Sequence, residues 1–430
     1  MKIAIVAIGD ELLIGQVTDT NSGAIARMIN PEGWEVARVQ VVADDADEIR
    51  TAIDRAFEAA PVVITTGGLG PTKDDITKGV LTEIFGGELI YDESVMENVR
   101  RIFERRHLPL NRLTEGQAMV PDSCSVVQNR YGTAPIMWFD SPRGVLVAMP
   151  GVPFETEGMF AEEIFPRLRE RFTSTDYVEH RTLITTGISE SALAEQLTAF
   201  ESSLPAGAHI AYLPNAGYIR LRLDCHGSDK AILAQTADEL AEKLCAAAGR
   251  YVIAKGDHTP AQMVLKLAEA YGYTLSTAES CTGGNIAGAI TAIPGSSSCF
   301  LGGIVAYSNS VKSALLGVDP AIIDAKGAVS EEVAAQMARG ACKATGASVG
   351  IATSGIAGPG GGTEAKPVGT VCIGVCCCGA VRTITEHFPG NRKRVVERAV
   401  SRGLLLACEM MRNAHTGSDP LLNIPDKSGK

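Results

Sequence analysis

The chain has 430 residues, too many for one compact domain and enough for about three. Hydrophobic residues make up 45% and charged residues 21%, an ordinary globular mixture that excludes wholesale disorder. Thirty-nine basic against 50 acidic residues give a net charge of −11, and aromatics are only 5%, so a nucleic-acid scaffold with a basic footprint and stacking platforms is disfavoured.

The N-terminus, Lys2–Ile8, reads as a strand that breaks at Gly9-Asp10-Glu11, not as a signal peptide. A helix over Asn21–Ile29, a strand over Trp34–Val42 and a helix over Asp45–Ala59, capped by Asp44 or Asp45, follow. The β-branched run Pro61–Thr66 is a buried strand ending in Gly67-Gly68-Leu69-Gly70-Pro71, and a helix is predicted over Asp74–Phe85. Strands alternating with helices imply a parallel sheet covered on both faces, with ligands beyond the carboxyl ends of its strands. Both glycine-acid clusters fall at such ends. Val145–Met149 and a helix to about Phe172 close the region. After a polar linker at Thr173–Asp176, the order βαββαβ emerges. It comprises Tyr177–Ile188, Glu190–Glu201 capped by Ser189, the hairpin strands His209–Leu213 and Tyr218–Cys225, Ala231–Ala248 and Tyr251–Ala254. This layout is KH-like, but a GxxG clamp for RNA is absent, so a spacer or dimerisation role is expected. The third part runs through helix Ala261–Ala270, strand Thr274–Thr277, a helix from about Asn285, strand Gly302–Tyr307, and helices Val311–Leu316 and Ser330–Thr345. Strands Ser348–Ser354, Val368–Cys378 and Arg382–Phe388 and helix Arg392–Arg412 complete it. From about residue 414 the composition is that of a loose tail.

No apolar run reaches the roughly 20 residues of a bilayer span, and the expected location is cytoplasmic. The eleven cysteines show no repeated CxxC spacing, which fits reduced thiols, and the seven histidines show no zinc spacing.

Three clusters carry candidate chemistry. Ala278–Gly284 places Ser280 between a strand and a helix whose first turn contains Gly283 and Gly284. Such N–H groups can receive an oxyanion or a phosphate; equally, Ser280 or Thr282 can simply cap the helix. With no histidine nearby, Lys312 is the candidate base if burial lowers its pKa, and Tyr307 can relay a proton or orient it; a solvated helix lysine is the alternative. Thr353–Pro367 is glycine-rich without P-loop spacing, either an anion nest or a surface loop. In Thr65–Asp75, glycine N–H groups can hold a diphosphate, and Asp74 and Asp75 with Asp10 offer hard oxygens for Mg²⁺ or a similar ion; the alternative is that Asp74 or Asp75 caps the next helix.

Together these motifs resemble the competence/damage-inducible protein A (CinA) family over nearly the whole chain. The N-terminal part is similar to molybdopterin-binding-like domains through Ile8–Gly15, Asp19-Thr20-Asn21, Thr66–Thr77, Asn129, Gly132–Pro135 and Pro150–Pro153. The C-terminal part is similar to nicotinamide-mononucleotide deamidases through Ala278–Gly284, Tyr307-Ser308-Asn309, Lys312, Gly327–Glu331, Gly355–Gly362 and Lys366–Gly369. The resemblance implies an α/β, multi-domain chain: a molybdopterin-binding-like domain over 1–172, a KH-like domain over 176–255, a deamidase domain over 259–413 and a flexible tail over 414–430. It implies that Ser280 attacks the carboxamide of nicotinamide mononucleotide, with Lys312 as base and Tyr307 assisting and no cofactor. Cys281, Thr282, Gly283, Gly284, Ser354, Gly358, Gly360, Gly361 and Arg392 would hold substrate and oxyanion. It further implies a metal-dependent ADP-ribose pyrophosphatase in the N-terminal domain, with Thr66, Gly67, Gly68 and Gly70 on phosphates and Asp10, Asp74 and Asp75 on the metal. A homodimer is expected, without direct nucleic-acid or membrane contact. A non-catalytic partner role in DNA uptake and repair, or pterin binding alone, are the alternatives. The sequence departs from the family at Asn391, where aspartate is usual, at Val396, near a usual arginine, and at Ile136, where glycine is common.

Overall fold

A computed structural model describes residues 1–72, 75–172 and 176–422. The chain divides into two compact units, one of residues 1–179 with 226–233, the other of residues 180–225 with 234–430.

The first unit is built on a six-stranded sheet. Strand Lys2–Ile8 lies between Glu35–Val42 and Val62–Thr66, and Gly144–Met149 follows, all parallel. Two antiparallel strands, Ile136–Ser141 and Ser125–Val127, complete one edge. The sheet is therefore mixed, where an all-parallel one was expected. The two extra strands pair through a local connection, which requires no crossover helix. Ile136, where the resemblance led to glycine being expected, is a fully buried strand residue here.

Both faces are covered, and the register shows how. Ala4, Val6, Val63, Leu146 and Ala148 join one core cluster, with helices Ala46–Ala59, Thr77–Phe85 and Glu93–Arg105. Ile3, Ile5, Val62, Ile64, Val145 and Val147 join the other, with helix Asn21–Ile29 and the helical segment Pro153–Arg171. Successive side chains of a strand point to opposite faces, so a near-continuous apolar run is what a doubly covered strand needs. The helical segment passes through a π-helical turn at Phe160–Ile164, just before Pro166, which has no N–H to give.

In the middle region, a four-stranded sheet runs in the order Ala208–Asn215, Tyr218–Gly227, Tyr177–Thr185 and Val252–Lys255, with helices Glu190–Ser202 and Lys230–Ala248. The βαββαβ order holds. The hairpin turn is tighter than expected, only Ala216-Gly217, with Gly217 at φ 88°.

The C-terminal region has a five-stranded sheet. Phe300–Val305, Leu275–Glu279 and Val349–Gly355 are parallel, and Thr370–Cys377 and Ala380–His387 antiparallel. Helices Pro260–Tyr271, Asn285–Thr291 and Arg392–Ala414 bury one face. Asn309–Leu316, Pro320–Lys326 and Glu331–Thr345 bury the other. Residues after Ala414 do not form the loose tail expected, at least as far as Leu422. Leu421 is fully buried and its carbonyl accepts the Lys255 N–H at 2.8 Å, while Arg412 Nε donates to Asp419 at 2.6 Å. All eleven cysteines are free thiols. No helix among the described residues is long and apolar enough to cross a membrane.

Candidate functional site

Strand Leu275–Glu279 ends at Ser280, whose N–H is held by the Thr353 carbonyl of the neighbouring strand at 3.0 Å. The chain then turns through Gly283 and Gly284, at φ 60° and 95°, a region that disfavours any residue with a Cβ. The next parallel strand leads to Ser308, which caps helix Asn309–Leu316 through the Val311 N–H and so sets Lys312 on its first turn. Lys312 points inward and is 1% exposed. Its Nζ donates to Ser280 Oγ at 3.0 Å, to the Ala306 carbonyl at 2.9 Å and to the Tyr307 carbonyl at 3.3 Å. Burial lowers its pKa, because the charged form loses water that three neutral acceptors only partly replace. Ser280 is thus not a plain helix cap, nor Lys312 a solvated lysine. The adjacent Cys281 thiol is pushed up to about 12 by burial and stays neutral, so the hydroxyl has no thiolate competitor beside it.

The residue that organises this turn is Glu279, which the sequence reading passed over. Its fully buried carboxylate accepts the N–H groups of Gly284 and Ile286 at 3.0 Å and of Ala287 at 2.8 Å. Asn285 N–H goes to the Thr282 carbonyl and Gly283 N–H to that of Ser280. The N–H groups of Gly283 and Gly284, the glycines expected to let a ligand approach, are therefore spent inside the protein, whereas the oxyanion was expected at the N–H groups near Cys281 and Thr282. Among the described residues, no hydrogen bond to another residue occupies the N–H groups of Cys281 and Thr282. The Thr282 hydroxyl pairs with that of Thr353 at 2.7 Å. Gly283 and Gly284 instead line a cleft of about 480 Å³ with Asn285, Gly288, Val396 and Glu397.

Tyr307 meets Lys312 through its carbonyl only. Its ring is 63% exposed and its hydroxyl accepts from Arg392 at 3.1 Å. The relay expected of the phenol is not made. Arg392 also donates to the Gly358 carbonyl at 2.8 Å, so the three form one wall. Gly358, at φ 87°, leaves no room for a Cβ against Val368, whereas Gly360 faces open space. The loop is tied down rather than free: Lys366 Nζ donates to the carbonyls of Lys326 and Val329, both at 2.7 Å. Ser354 is 1% exposed and gives its proton to the Ala328 carbonyl at 2.7 Å, a structural bond rather than a substrate contact. Asn391 caps the last helix by accepting the Arg394 N–H at 3.1 Å, so its place is explained without any pairing to Arg392.

In the first unit, a cavity of about 510 Å³ opens beyond the strand ends, lined by Gly9, Glu11, Asp44, Gly67–Pro71, Asp75, Gln117 and Gly151 among others. Both glycine-acid clusters meet there. Asp10 and Asp44 clasp each other, each N–H donating to the other's carboxylate, at 3.2 and 3.3 Å. Asp44 was expected only as a possible cap; Asp45 is the residue that caps, accepting the N–H groups of Asp47 and Glu48. Burial, and then the neighbouring carboxylates of Asp10, Glu11 and Asp75, raise the Asp44 pKa. Asp75 neither caps the following helix, which starts at Thr77, nor stands free. Its carboxylate takes the N–H groups of Gly70 at 2.7 Å and Thr72 at 3.0 Å, and the Thr72 hydroxyl. Gly67 N–H is likewise given to the Met149 carbonyl at 3.1 Å. Of the three glycine donors assigned to phosphate, only that of Gly68 remains without a partner among the described residues. Thr66 is buried at the strand end, 3% exposed. Gly67 cannot be replaced, because a Cβ at φ 104° would lie 2.1 Å from the Ile8 carbonyl oxygen. Asp74 lies outside the described residues. Among the described residues, no three His, Cys, Asp or Glu side chains form a ready-made metal cage.

Family models match three successive stretches between residues 4 and 411: a probable molybdopterin binding domain over residues 4–170, the damage-inducible protein CinA KH domain over 180–254 and the CinA C-terminal domain over 257–411. A CinA-like protein of Chlorobaculum tepidum is 41% identical over 424 residues, covering 96% of this chain and all of that one. The chain belongs to the CinA family. A CinA-like protein of Gemmatimonas aurantiaca is also 41% identical, over 96% of both chains. The crystal structure of a CinA superfamily protein from Klebsiella pneumoniae is 33% identical and covers 36% of this chain and 99% of its own, with a TM-score of 0.35. The CinA assignment accounts for the α/β, three-domain order: molybdopterin-binding-like, KH-like, CinA C-terminal.

Proposed function

We propose that the CinA C-terminal domain hydrolyses the carboxamide of nicotinamide mononucleotide to nicotinic acid mononucleotide and ammonia. The observation that carries this reading is the 3.0 Å contact between Lys312 Nζ and Ser280 Oγ, both buried. A neutral Lys312 takes the Ser280 proton as Oγ bonds to the carboxamide carbon. The oxyanion finds the open N–H groups of Cys281 and Thr282. Lys312 returns the proton to the amide nitrogen, the C–N bond breaks and ammonia leaves. Water then adds to the acyl-enzyme, its proton passing through Lys312 to Ser280 Oγ as the acid departs. The cationic pyridinium already activates its amide, so modest electrostatic help suffices. In this reading Arg392, which bonds the Gly358 carbonyl and the Tyr307 hydroxyl, holds the 5′-phosphate. Purified protein given nicotinamide mononucleotide is expected to release ammonia, and the Ser280→Ala variant none; full activity in that variant removes Ser280 from the mechanism.

The N-terminal cavity is read as a site for ADP-ribose, cleaved at its diphosphate with a divalent cation. Carboxylates and a diphosphate share this cavity only with a cation between them. Mg²⁺ is commonly held by one or two carboxylates plus substrate phosphate, without a protein cage. Asp10 and Asp44 offer that much, while Asp75 anchors the Gly70 turn. The bound cation would neutralise phosphate charge. The family name alone supports no partner role over these two sites.

A further inference from the structure

Gln117 lies on the wall of the N-terminal cavity and is 1% exposed. Lys78, on helix Thr77–Phe85, donates its Nζ to the Gln117 carbonyl at 2.9 Å and to its side-chain Oε1 at 3.3 Å. A carboxamide can be turned either way, but the reverse orientation would set its NH₂ against an ammonium. The lysine therefore fixes Oε1 inward and leaves Nε2 as the free end. Nε2 is buried and has no partner among the described residues. A buried donor left without a partner destabilises the fold, and a ligand in the cavity that accepts from it relieves that cost. The hydroxyls of Thr65 and Thr77 are likewise buried and unpartnered, and Thr77 Oγ1 sits where a Cβ on Gly68 would be, against the glycine turn.

We propose that Gln117, oriented by Lys78, is an anion-recognising residue of the N-terminal cavity, its Nε2 donating to a phosphate oxygen of a bound nucleotide diphosphate. This rests on the nucleotide reading of that cavity. The choice of a phosphate oxygen over a base nitrogen follows from the ammonium directly behind the amide, which polarises Nε2–H toward an anion. Burial lowers the Lys78 pKa to about 8, and the Asp75 carboxylate opposes that fall, so the amine is still mostly protonated at neutral pH. Gln117 thus brings a cation-polarised donor to a cavity whose titratable lining groups, among the described residues, are the carboxylates of Glu11, Asp44, Asp75 and Glu155.

Titration calorimetry of the full chain with the non-cleavable α,β-methylene analogue of ADP-ribose, and separately with inorganic pyrophosphate, both with magnesium, tests this. Gln117→Glu keeps an oxygen for Lys78 but replaces the donor by an acceptor. Gln117→Met removes both polar atoms at similar length, and serves where the first variant does not fold. With an unchanged melting temperature, either substitution is expected to weaken both ligands about tenfold or more. Lys78→Met is expected to weaken them in the same direction by releasing the amide. Unchanged affinity in a folded Gln117 variant overturns the proposal while leaving the nucleotide reading intact. Weakening for the ADP-ribose analogue but not pyrophosphate overturns the phosphate assignment. Wild-type protein that binds neither ligand overturns the nucleotide reading and the proposal with it.

Discussion

At the scale of single residues, the C-terminal chemistry depends on an amine that is neutral often enough to accept a proton. Lys312 is buried among carbonyls, and that burial takes its pKa below the usual 10.5. The sign follows. The rate is carried by the neutral form, so kcat/KM for ammonia release should rise with pH and level off at an apparent pKa below that of a free lysine; a rise that continues to the free-lysine value excludes Lys312 as base. Folded Lys312 binds its proton more weakly than unfolded Lys312. Its contribution to stability therefore rises with pH between the two pKa values and falls as pH drops through the lower. Replacing Lys312 by Met should leave a folded protein with ammonia release reduced about 10²–10⁴-fold, measured beside its melting curve. Ser280 and Lys312 were both legible in the sequence because each ends a strand-to-helix step at the same edge of a sheet. The phenol of Tyr307 was legible as a neighbour but not in its direction, since local sequence does not say which way an exposed ring turns.

At the scale of elements, helix starts explain what the glycines do. Helix Asn285–Thr291 has no side-chain cap at its own N-terminus, and the buried Glu279, five residues before Gly284, takes three of its N–H groups. Glu279→Ala should strip these charge-assisted bonds and cost on the order of 3 kcal/mol by denaturant unfolding, with a lower kcat as the Ser280 turn loosens. Glu279→Gln, which keeps one acceptor, should recover part of both. An unchanged kcat in Glu279→Ala would show that Ser280 is held by its strand alone. The helix Arg392–Ala414 is started by Asn391, so Asn391→Ala should lose about 1 kcal/mol, read in the same unfolding experiment. The caps at Asp45 and Ser189 were visible as spacing; the Glu279 cap was not, because a residue inside a buried strand carries no local signature of capping. The antiparallel strands Ser125–Val127, at the sheet edge, and Ile136–Ser141, beside it, escaped for a related reason: short strands are recognised by their partners more than by their own pattern.

At the scale of the whole molecule, the two candidate sites lie in different compact units and should be separable. Chelation by EDTA is expected to abolish ADP-ribose cleavage and leave ammonia release intact, while Ser280→Ala does the reverse; cleavage that persists in EDTA sinks the metal reading. The docked segment after Ala414 belongs to the second unit, and Leu421→Ala should cost about 2–5 kcal/mol in unfolding, as expected for a fully buried leucine. Most of the order of strands and helices outside residues 86–144, the two-faced burial of the N-terminal sheet and the positions of Ser280, Lys312 and both glycine turns were determined by the sequence itself, because apolar period, caps and glycines act over a few residues. Which donors remained open was decided only by tertiary structure. Gly67, Gly70 and Gly284 gave their N–H groups to Met149, Asp75 and Glu279, and Gln117 kept one free, because a hydrogen bond is settled by what lies across the fold and not by what lies next in the chain.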